Sequence, residues 1–411
     1  MKRWYLIAFS NLLIAAIMGA LLRAQFLGEI PFVHFRPWMH AHSHVAMLGW
    51  LFTGIVVVLT HDGGRGLLTR GMQHMLVVLQ VAVVGMLLSF PVQGYGAVSI
   101  SASTLHMVTS YFVLALLWRQ SLQWPREGSG RLTRWSIILY SLSTLGVWAM
   151  APLIATGNQG KEIYYWAVQF YLHFQFNGWF WFAALALGVR WAERQGFPLR
   201  IDRLTLGLWI ASAVLTYALA IAWSEPHPAV FATVSLGVLL QVWAAMRSLR
   251  ILKRLQRRAH EQFPTWGKVL VGVALVGMGM KVLVQAAVAV PSVAVMAFTL
   301  RSYVMGFVHL NTLAIMTTLL LVYALLQGWL PVRSLAVKAG VALLTGGIIL
   351  SELLLFVQGT FFWVGWGLIK GHYLHMVLAS ALMPLGVALL LWAGWRHRAP
   401  AHMRASPDRG V

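Results

Sequence analysis

The chain has 411 residues, of which 59% are hydrophobic and 10% are charged, and its formal net charge is +21. A helix of about 20 apolar residues crosses the ~30 Å hydrocarbon core of a bilayer, so this length and composition predict a polytopic membrane protein. The sequence contains no cysteine. Disulfides and every form of thiolate ligation are therefore excluded.

The hydropathy pattern predicts an all-α bundle of about twelve transmembrane helices that form one domain over residues 1–411. The first apolar segment is longer than the apolar region of a signal peptide and lacks a small-residue cleavage site, so we interpret it as a true span. No soluble domain is expected. In chain order, the predicted spans are 4–22, 38–60, 71–90, 98–118, 135–154, 164–189, 204–223, 229–246, 269–290, 302–326, 339–357 and 372–395.

The basic residues alternate between the two ends of these spans. By the positive-inside rule, this asymmetry places both termini in the cytoplasm of a bacterial-type inner membrane, and it argues against nucleic acid as the partner. Binding of anionic lipid headgroups is a secondary interpretation. The clusters on the predicted cytoplasmic face are Lys2/Arg3, Arg65/Arg70, 119–134, 190–203, 247–268, Arg333/Lys338 and 396–409; the residues on the other face are mainly Arg23, Arg36, Lys161, Arg301 and Lys370.

Short internal matches predict three four-helix repeats, with approximate limits of 1–120, 131–247 and 267–396. The segment from His44 to Trp50 is echoed by the segment from His173 to Trp179, and Leu-His-Met-Val occurs at both 105–108 and 374–377. The histidines would then lie on helices 2 and 4, on helix 6, and on helices 10 and 12.

Three of these histidines occupy comparable points of three predicted spans. A histidine within the membrane is costly and is a functional hypothesis by default, so three in register indicate a shared ligand plane, which points to haem. At ~1.5 Å per residue, they would lie in the outer half of the bilayer. Small residues follow five positions later, where a macrocycle or a neighbouring helix could approach the backbone. The pairs are His44 and Gly49, His173 and Gly178, and His309 and Ala314.

This pattern resembles subunit I of the haem-copper oxidase superfamily, including cbb3-type oxidases and nitric oxide reductases. The run Trp-Met-His-Ala-His-Ser-His at 38–44 is also similar to NnrS-type membrane proteins of the nitric oxide response. The resemblance implies that His44 and His309 ligate a haem b and that His173 ligates a non-haem copper or iron ion. For an isolated histidine, a buried ring bonded to a neighbouring carbonyl is the alternative.

The sequence also departs from that family. The predicted helix 7 has no histidine, residue 307 of the Phe307-Val308-His309 run is not histidine, and Asn177 stands where nitric oxide reductases carry glutamate. The second haem and the copper therefore lack their usual ligands. Tyr217 is a weak match for the oxidase tyrosine.

The remaining histidines have weaker assignments. His42 faces about 200° away from His44 on a helix, so it would serve a different site or line the entrance with His34 and His40. His106 and His375 are candidates for a second haem or metal, with His372 one turn from His375.

Charged residues near the predicted site have two candidate roles. Arg36, Arg301 and Lys370 could compensate haem propionates or could simply reach the interface as ordinary snorkelling side chains. Lys281 and Glu352 lie within spans and are candidates for a proton path.

We therefore expect a membrane haem protein with one haem b, or two, that handles electrons or a diatomic gas such as nitric oxide or oxygen. A terminal-oxidase-like or reductase-like activity would require the metal site that the sequence puts in doubt. A cytochrome c or cupredoxin donor would supply electrons. The alternatives are a transporter that passes metal ions or haem between histidines, and a structural subunit with relic ligands.

Overall fold

The computed structural model describes residues 1–61 and 68–397. Arg65 and the basic residues after 397 lie outside the described residues, so their predicted positions stay predictions. In the described ranges the chain forms an all-α bundle. Its long helices are α1 (Lys2–Ala24), α2 (Phe35–Thr60), α3 (Arg70–Gln93), α4 (Ala97–Ser121), α5 (Ser129–Ala155), α6 (162–194), α7 (Arg203–Ala220), α8 (Pro228–Gln262), α9 (Thr265–Ala287), α10 (Arg301–Leu326), α11 (Leu335–Trp363) and α12 (His372–Arg396).

Eleven of these helices are long and apolar enough to cross a membrane. The other one, α6, is as long as its neighbours but carries His173, Gln175 and Asn177 among aromatic rings, which lowers its mean hydropathy. Its middle is nevertheless buried, from Phe174 through Phe182. The described part of the chain thus confirms the predicted all-α polytopic bundle and includes a helix at each of the twelve predicted spans.

Helix α8 differs most from its predicted span. It continues to Gln262 instead of ending near residue 246, and α9 begins directly after it at Thr265. A guanidinium nitrogen of Arg247 lies 3.2 Å from a carboxylate oxygen of Asp202 at the start of α7. This ion pair holds the beginning of the extension beside the N-terminal end of α7. For residues 247–268 we predicted a cytoplasmic loop with a basic helical extension, and the structure extends the membrane helix through most of this stretch, to Gln262.

Three helices share a rare irregularity. Each contains a π-helical segment that begins directly after, or two residues after, the histidine that the sequence placed in register: Val45–Phe52 in α2, Gln175–Trp179 in α6 and Leu310–Thr317 in α10. Such segments are uncommon and are frequent at functional sites. The proposed sequence repeat stays a prediction, and this shared local geometry supports it.

The small residues inside the π segments receive neighbouring helices. A Cβ atom on Gly178 would lie 2.6 Å from the Cβ atom of Leu139 in α5, and one on Gly49 would lie 2.9 Å from the side chain of Val83. Ala314 faces Gly277 of α9. Close helix packing accounts for small residues at these positions without a bound macrocycle.

Helices α2, α6 and α10 contact one another at the centre of the bundle. The Trp50 indole donates a 2.9 Å hydrogen bond to Thr317, which joins α2 to α10. Aromatic contacts of 5.6 Å and 6.3 Å between ring centroids join the other two pairs. The residues of those contacts are Phe52 and Trp179 for α2 and α6, and Phe176 and Phe307 for α6 and α10.

The same three helices meet again at their C-terminal ends. The His61 ring and the Arg194 guanidinium both hydrogen-bond the Tyr323 hydroxyl, at 2.8 and 2.5 Å. Arg194 also donates to the His61 carbonyl oxygen. The central trio is therefore tied by packing in its middle and by polar contacts at one end, which fixes how each helix is rotated.

Candidate functional site

Each central helix presents two faces to two different groups of helices. Residues two positions apart are about 200° apart around a helix, so the registered histidine and the residue two places before it point in nearly opposite directions. The residues before are His42 in α2, Tyr171 in α6 and Phe307 in α10. Three side-chain clusters result, and two of them combine a registered histidine of one central helix with the preceding residue of another.

The first cluster lies among α1, α2, α10, α11 and α12, and we call it the His309 cluster (His42, His309, Arg23, Glu352 and His372). His309 is close enough to His42 and Arg23 to interact with both electrostatically. Both imidazole rings are half-buried within the bundle. Two histidines from separate central helices thus share one compartment.

The two rings differ in how they are held. The Nδ1–H group of His42 donates a 2.8 Å hydrogen bond to the Ala15 carbonyl oxygen, and the ring packs against Gly19, where a Cβ atom would lie 2.9 Å from His42 Cε1. A backbone acceptor at Nδ1 leaves Nε2 as the unprotonated nitrogen, the usual arrangement for a metal-ligating histidine. Nδ1 of His309 is buried without a hydrogen-bond partner among the described residues.

Arg23 supplies the cation of this cluster. Its guanidinium donates to the hydroxyls of Ser351 in α11 and Ser380 in α12, at 3.0 and 2.5 Å. Glu352 is 8% exposed, and neither of its carboxylate oxygens has a hydrogen-bond partner within the described ranges. His372, at the start of α12, also has a buried Nδ1 without a partner there. The compartment is polar and incompletely paired.

His44 lies on the other side of α2, away from His309. His42 is therefore the histidine of α2 that lies near His309, whereas we predicted that His44 pairs with His309. The physical reason is the 200° separation of the two histidines on one helix, which allows only one of them to face α10. The sequence does not show which of His42 and His44 faces α10, because both lie at a suitable depth in the same predicted span.

The second cluster lies among α6, α7, α9 and α10, and we call it the His173 cluster (His173, Asn177, Lys281, Gln285 and Phe307). Nε2–H of His173 donates to the Ala213 carbonyl oxygen at 2.7 Å, and Nδ1 accepts from the Asn177 amide at 3.2 Å. Both ring nitrogens therefore have protein partners.

Lys281 is 1% exposed, and its ammonium group fills the centre of this cluster. It donates to Asn177 Oδ1 at 2.7 Å and to Gln285 Oε1 at 2.5 Å, and it lies 4.7 Å from the centre of the Trp181 ring. A metal ion at His173 would have to displace a hydrogen bond and lie beside a cation. These residues do not fit a non-haem metal centre.

The third cluster lies among α2, α3 and α4, and we call it the His44 cluster (His40, His44, Phe90, Tyr95 and His106). Nδ1–H of His44 donates to the His40 carbonyl oxygen at 2.8 Å, and its ring lies 4.4 Å from the Phe90 ring. His106 of α4 is fully buried, and neither of its ring nitrogens has a hydrogen-bond partner among the described residues.

The other predicted residues lie outside these clusters. Arg36, Lys370 and His375 are exposed. Arg301 is exposed as well, with its guanidinium 5.7 Å from the Phe35 ring. Haem contacts were predicted for several of these residues, whereas Arg23, which is half-buried, had no predicted role at the haem. A cation at the end of an apolar span was the signal that could have identified Arg23.

A separate apolar cleft lies between the C-terminal half of α6 and α8, α9 and α10. Its lining includes Leu185, Leu252 and Met278. It contains none of the histidines discussed above, so it contributes no ligand to the three clusters.

Comparison with known proteins gives no family assignment. The sequence matches no family model and no curated protein. The three clusters therefore carry the functional argument by their own chemistry.

Proposed function

We propose that this chain is an integral membrane haem b protein in which His42 and His309 ligate the iron. The observation that carries the proposal is that these two rings, from α2 and α10, lie in one polar cluster, close enough to each other and to Arg23 to interact electrostatically. Among the three clusters in the described ranges, this one alone combines histidines from two of the central helices α2, α6 and α10.

The residues around the pair fit a haem. The hydrogen bond from His42 to Ala15 leaves Nε2 free for coordination. Arg23 is a half-buried cation that would compensate the negative charge of haem propionates. The incompletely paired polar atoms of Glu352 and His372 are a cost in an apolar interior, and a polar ligand in the compartment would reduce it.

Electron transfer is the chemistry that this pair favours over gas binding. A haem with two histidine ligands exchanges one electron between its ferric and ferrous states, with both axial positions occupied. A gas would need an open position, and the His173 cluster offers no second metal to supply one. We therefore propose one haem b and a role in electron transfer, in preference to binding of nitric oxide or oxygen.

The depth of the pair favours a partner at one membrane surface. His42 and His309 lie within the first ten residues of α2 and α10, so at ~1.5 Å per residue they are about 12 Å from the helix starts. We propose that this end faces outward from a bacterial cytoplasmic membrane, with both termini inside. A soluble cytochrome c or a cupredoxin would then be the donor.

Spectroscopy of the full chain in mild detergent tests the proposal. The wild-type protein should show a narrow reduced α band, a haem b signal in the pyridine haemochrome assay, and little change on addition of carbon monoxide. His42→Ala and His309→Ala should each abolish the low-spin signature. His44→Ala is the matched control, because it removes an imidazole from the same helix two residues away.

Two results would contradict the proposal. One is a protein without haem after expression with ample haem precursor. The other is a spectrum that is lost in His44→Ala and kept in His42→Ala, which would restore the pairing inferred from the sequence.

A further inference from the structure

The apolar cleft among α6, α8, α9 and α10 is a part of the bundle that the proposed haem site does not use. With its open side included, its free space is about 890 Å³. Sites that bind small molecules have volumes of about 300–1,000 Å³. On α10 the lining begins at Leu319, ten residues beyond His309 and therefore about 15 Å further along the helix. The cleft is separate from the three histidine clusters.

The wall of this cleft favours a hydrocarbon chain. Apart from Trp191, its lining residues with polar side chains are Ser248, Gln256 and Tyr323. The Ser248 hydroxyl is bonded to a carbonyl oxygen of α8 at 2.8 Å, and the Tyr323 hydroxyl takes part in the polar contacts at the C-terminal ends of the central helices. Gln256 is exposed. The remaining lining is apolar, so burial of apolar surface is the main interaction that the interior offers.

One wall is the extension of α8, which is amphipathic. Its cleft-lining residues recur at helical spacing, and basic residues occupy the positions between them. Gln256 is both exposed and part of the lining, so the cleft reaches the surface beside it. At about 100° per residue, Lys253 and Arg257 are the basic residues nearest to Gln256 around the helix. The lining residues of the extension are Ile251, Leu252, Leu255, Gln256 and Ala259, and its exposed basic residues are Arg250, Lys253, Arg254, Arg257 and Arg258.

Helix α9 adds a cation in line with the cleft. Lys268 is exposed in the first turn of α9. It precedes the lining residues Val271, Leu275 and Met278 by three, seven and ten positions. These spacings place the four residues on one face of the helix, with the lysine at the end of the apolar row.

The cations at the mouth of the cleft are not neutralised by the protein. Within the described ranges, none of Lys253, Arg257 and Lys268 forms an ion pair. Glu261 is the acidic residue of the extension, and its carboxylate lies 3.1 Å from the Arg258 guanidinium. The mouth therefore carries positive charge next to an apolar interior.

We propose that the cleft holds an acyl chain of one anionic phospholipid, whose phosphate lies against Lys253, Arg257 and Lys268. The apolar wall accepts the chain, and each exposed cation attracts the anionic headgroup. Basic pockets between transmembrane helices bind such headgroups by the same chemistry. This lipid site does not depend on the proposed haem ligands.

Native mass spectrometry of the full-length protein in mild detergent tests the proposal. The protein is titrated with phosphatidylglycerol, which is anionic, and with phosphatidylcholine of the same acyl chains, which is zwitterionic. One phosphatidylglycerol should bind at least about tenfold more tightly than phosphatidylcholine. The preference should fall as salt is added, because exposed charges are screened.

The triple variant Lys253→Gln/Arg257→Gln/Lys268→Gln removes the three cations from the mouth. It should weaken phosphatidylglycerol binding by more than about tenfold, since one Lys or Arg near an anionic surface contributes about fivefold. Its binding of phosphatidylcholine should change little.

The matched control is the triple variant Arg70→Gln/Arg119→Gln/Arg126→Gln. These three residues are exposed at the same end of the bundle, at the start of α3, in the last turn of α4 and in the connection to α5. The change in net charge is the same, but none of the three lines the cleft. This variant should bind phosphatidylglycerol as the wild type does.

Gly188→Leu tests whether the acyl chain enters the cleft. A Cβ atom at Gly188 would lie 3.3 Å from Leu255 Cδ1, so a larger side chain there occupies space between α6 and α8. All charges remain, yet phosphatidylglycerol binding should weaken by about tenfold, the effect of excluding about two methylene groups. Gly207→Leu is the control, because Gly207 is exposed and a Cβ atom there meets no atom within 4 Å. Thermal unfolding shows whether each variant is folded.

Four results would overturn the lipid proposal. Equal affinity for the two lipids would exclude the headgroup contacts, and equal weakening in the two triple variants would leave only an effect of net charge. A folded Gly188→Leu that binds as the wild type does would place the lipid outside the cleft. A second protein subunit that must be removed before lipid binds would assign the cleft to that subunit.

Discussion

The His309 and His173 clusters share one local feature, a histidine at a π-helical segment, but their polar groups are paired differently. Both place a histidine of a central helix directly before or near a π-helical segment. In the first, His309 meets His42 and several polar atoms stay unpaired. In the second, His173 and Phe307 both lie near Lys281, and Lys281, Asn177 and Gln285 satisfy one another. The comparison teaches two things. The position of a histidine along its helix sets the depth at which it could act as a ligand. The residue that the neighbouring central helix supplies, two positions before its own registered histidine, decides whether that histidine has a second histidine beside it.

The most direct way to break this comparison is His42→Phe. This change gives the His309 cluster the residue that α10 supplies to the His173 cluster. We expect near-complete loss of the low-spin haem signal, with haem occupancy lowered more than about tenfold. The measurement is the haem-to-protein ratio of the purified protein.

His173→Phe is the matched control for that change. It removes the registered histidine from the other cluster and should leave the haem-to-protein ratio near the wild-type value. Equal loss of haem in both variants would mean that the two clusters do not differ as described.

Lys281→Met tests whether the paired polar groups of the His173 cluster stabilise the protein. Removal of the ammonium leaves the Gln285 amide oxygen buried without its donor, which should lower the free energy of unfolding by about 1–3 kcal/mol. The haem spectrum should not change. Thermal unfolding in detergent measures the first effect.

Lys338→Met, at an exposed position of α11, provides the reference for Lys281→Met. If both lysine variants unfold at the same temperature as the wild type, the buried network contributes no stability. A metal ion that appears in Lys281→Met would show that the lysine had excluded it from His173.

Gly178→Ala tests the packing that the π segments share. The added methyl group would lie 2.6 Å from Leu139 Cβ, so α5 and α6 must separate, at a cost of about 1–3 kcal/mol. Gly272→Ala, on α9, meets no atom within 4 Å and should stabilise by up to about 1 kcal/mol. Chemical or thermal unfolding of the pair checks the difference, and stability gained by both would refute close packing at Gly178.

The smallest expected effect lies at the start of α7, outside the membrane-spanning segments. Hydrogen bonds from the Thr205 hydroxyl and backbone, with Arg247 nearby, lower the pKa of Asp202 to about 2 from an ordinary value of 3.8. Because the folded pKa is lowered, the stabilisation is complete above about pH 4 and is lost as the pH falls towards 2.

Asp202→Asn should therefore cost at most about 0.5–1 kcal/mol at neutral pH, since an asparagine still caps the helix and the site is half exposed. The pH dependence of unfolding between 2 and 5 should be flatter in the variant than in the wild type. Identical pH profiles would mean that Asp202 gains nothing from its partners.

Part of the candidate site could be read from single residues. A histidine inside an apolar span is visible in the sequence, and so is the shared distance to the small residues that follow it. The partners of each histidine were not visible, because His42 and His44 fit the same span equally well. Arg23 was counted as a surface charge, since only the fold shows that Ser351 and Ser380 enclose it.

The sequence alone determined the membrane class, the number and approximate limits of the long helices, and the positions of the registered histidines along them. These properties are local: apolar length and residue spacing fix them within one helix. The tertiary structure decided which face of each helix meets which neighbour. That choice depends on how α2, α6 and α10 rotate against one another, through contacts between residues more than a hundred positions apart such as Trp50 and Thr317. The pairing of His42 with His309, and the filling of the His173 cluster by Lys281, follow from that rotation.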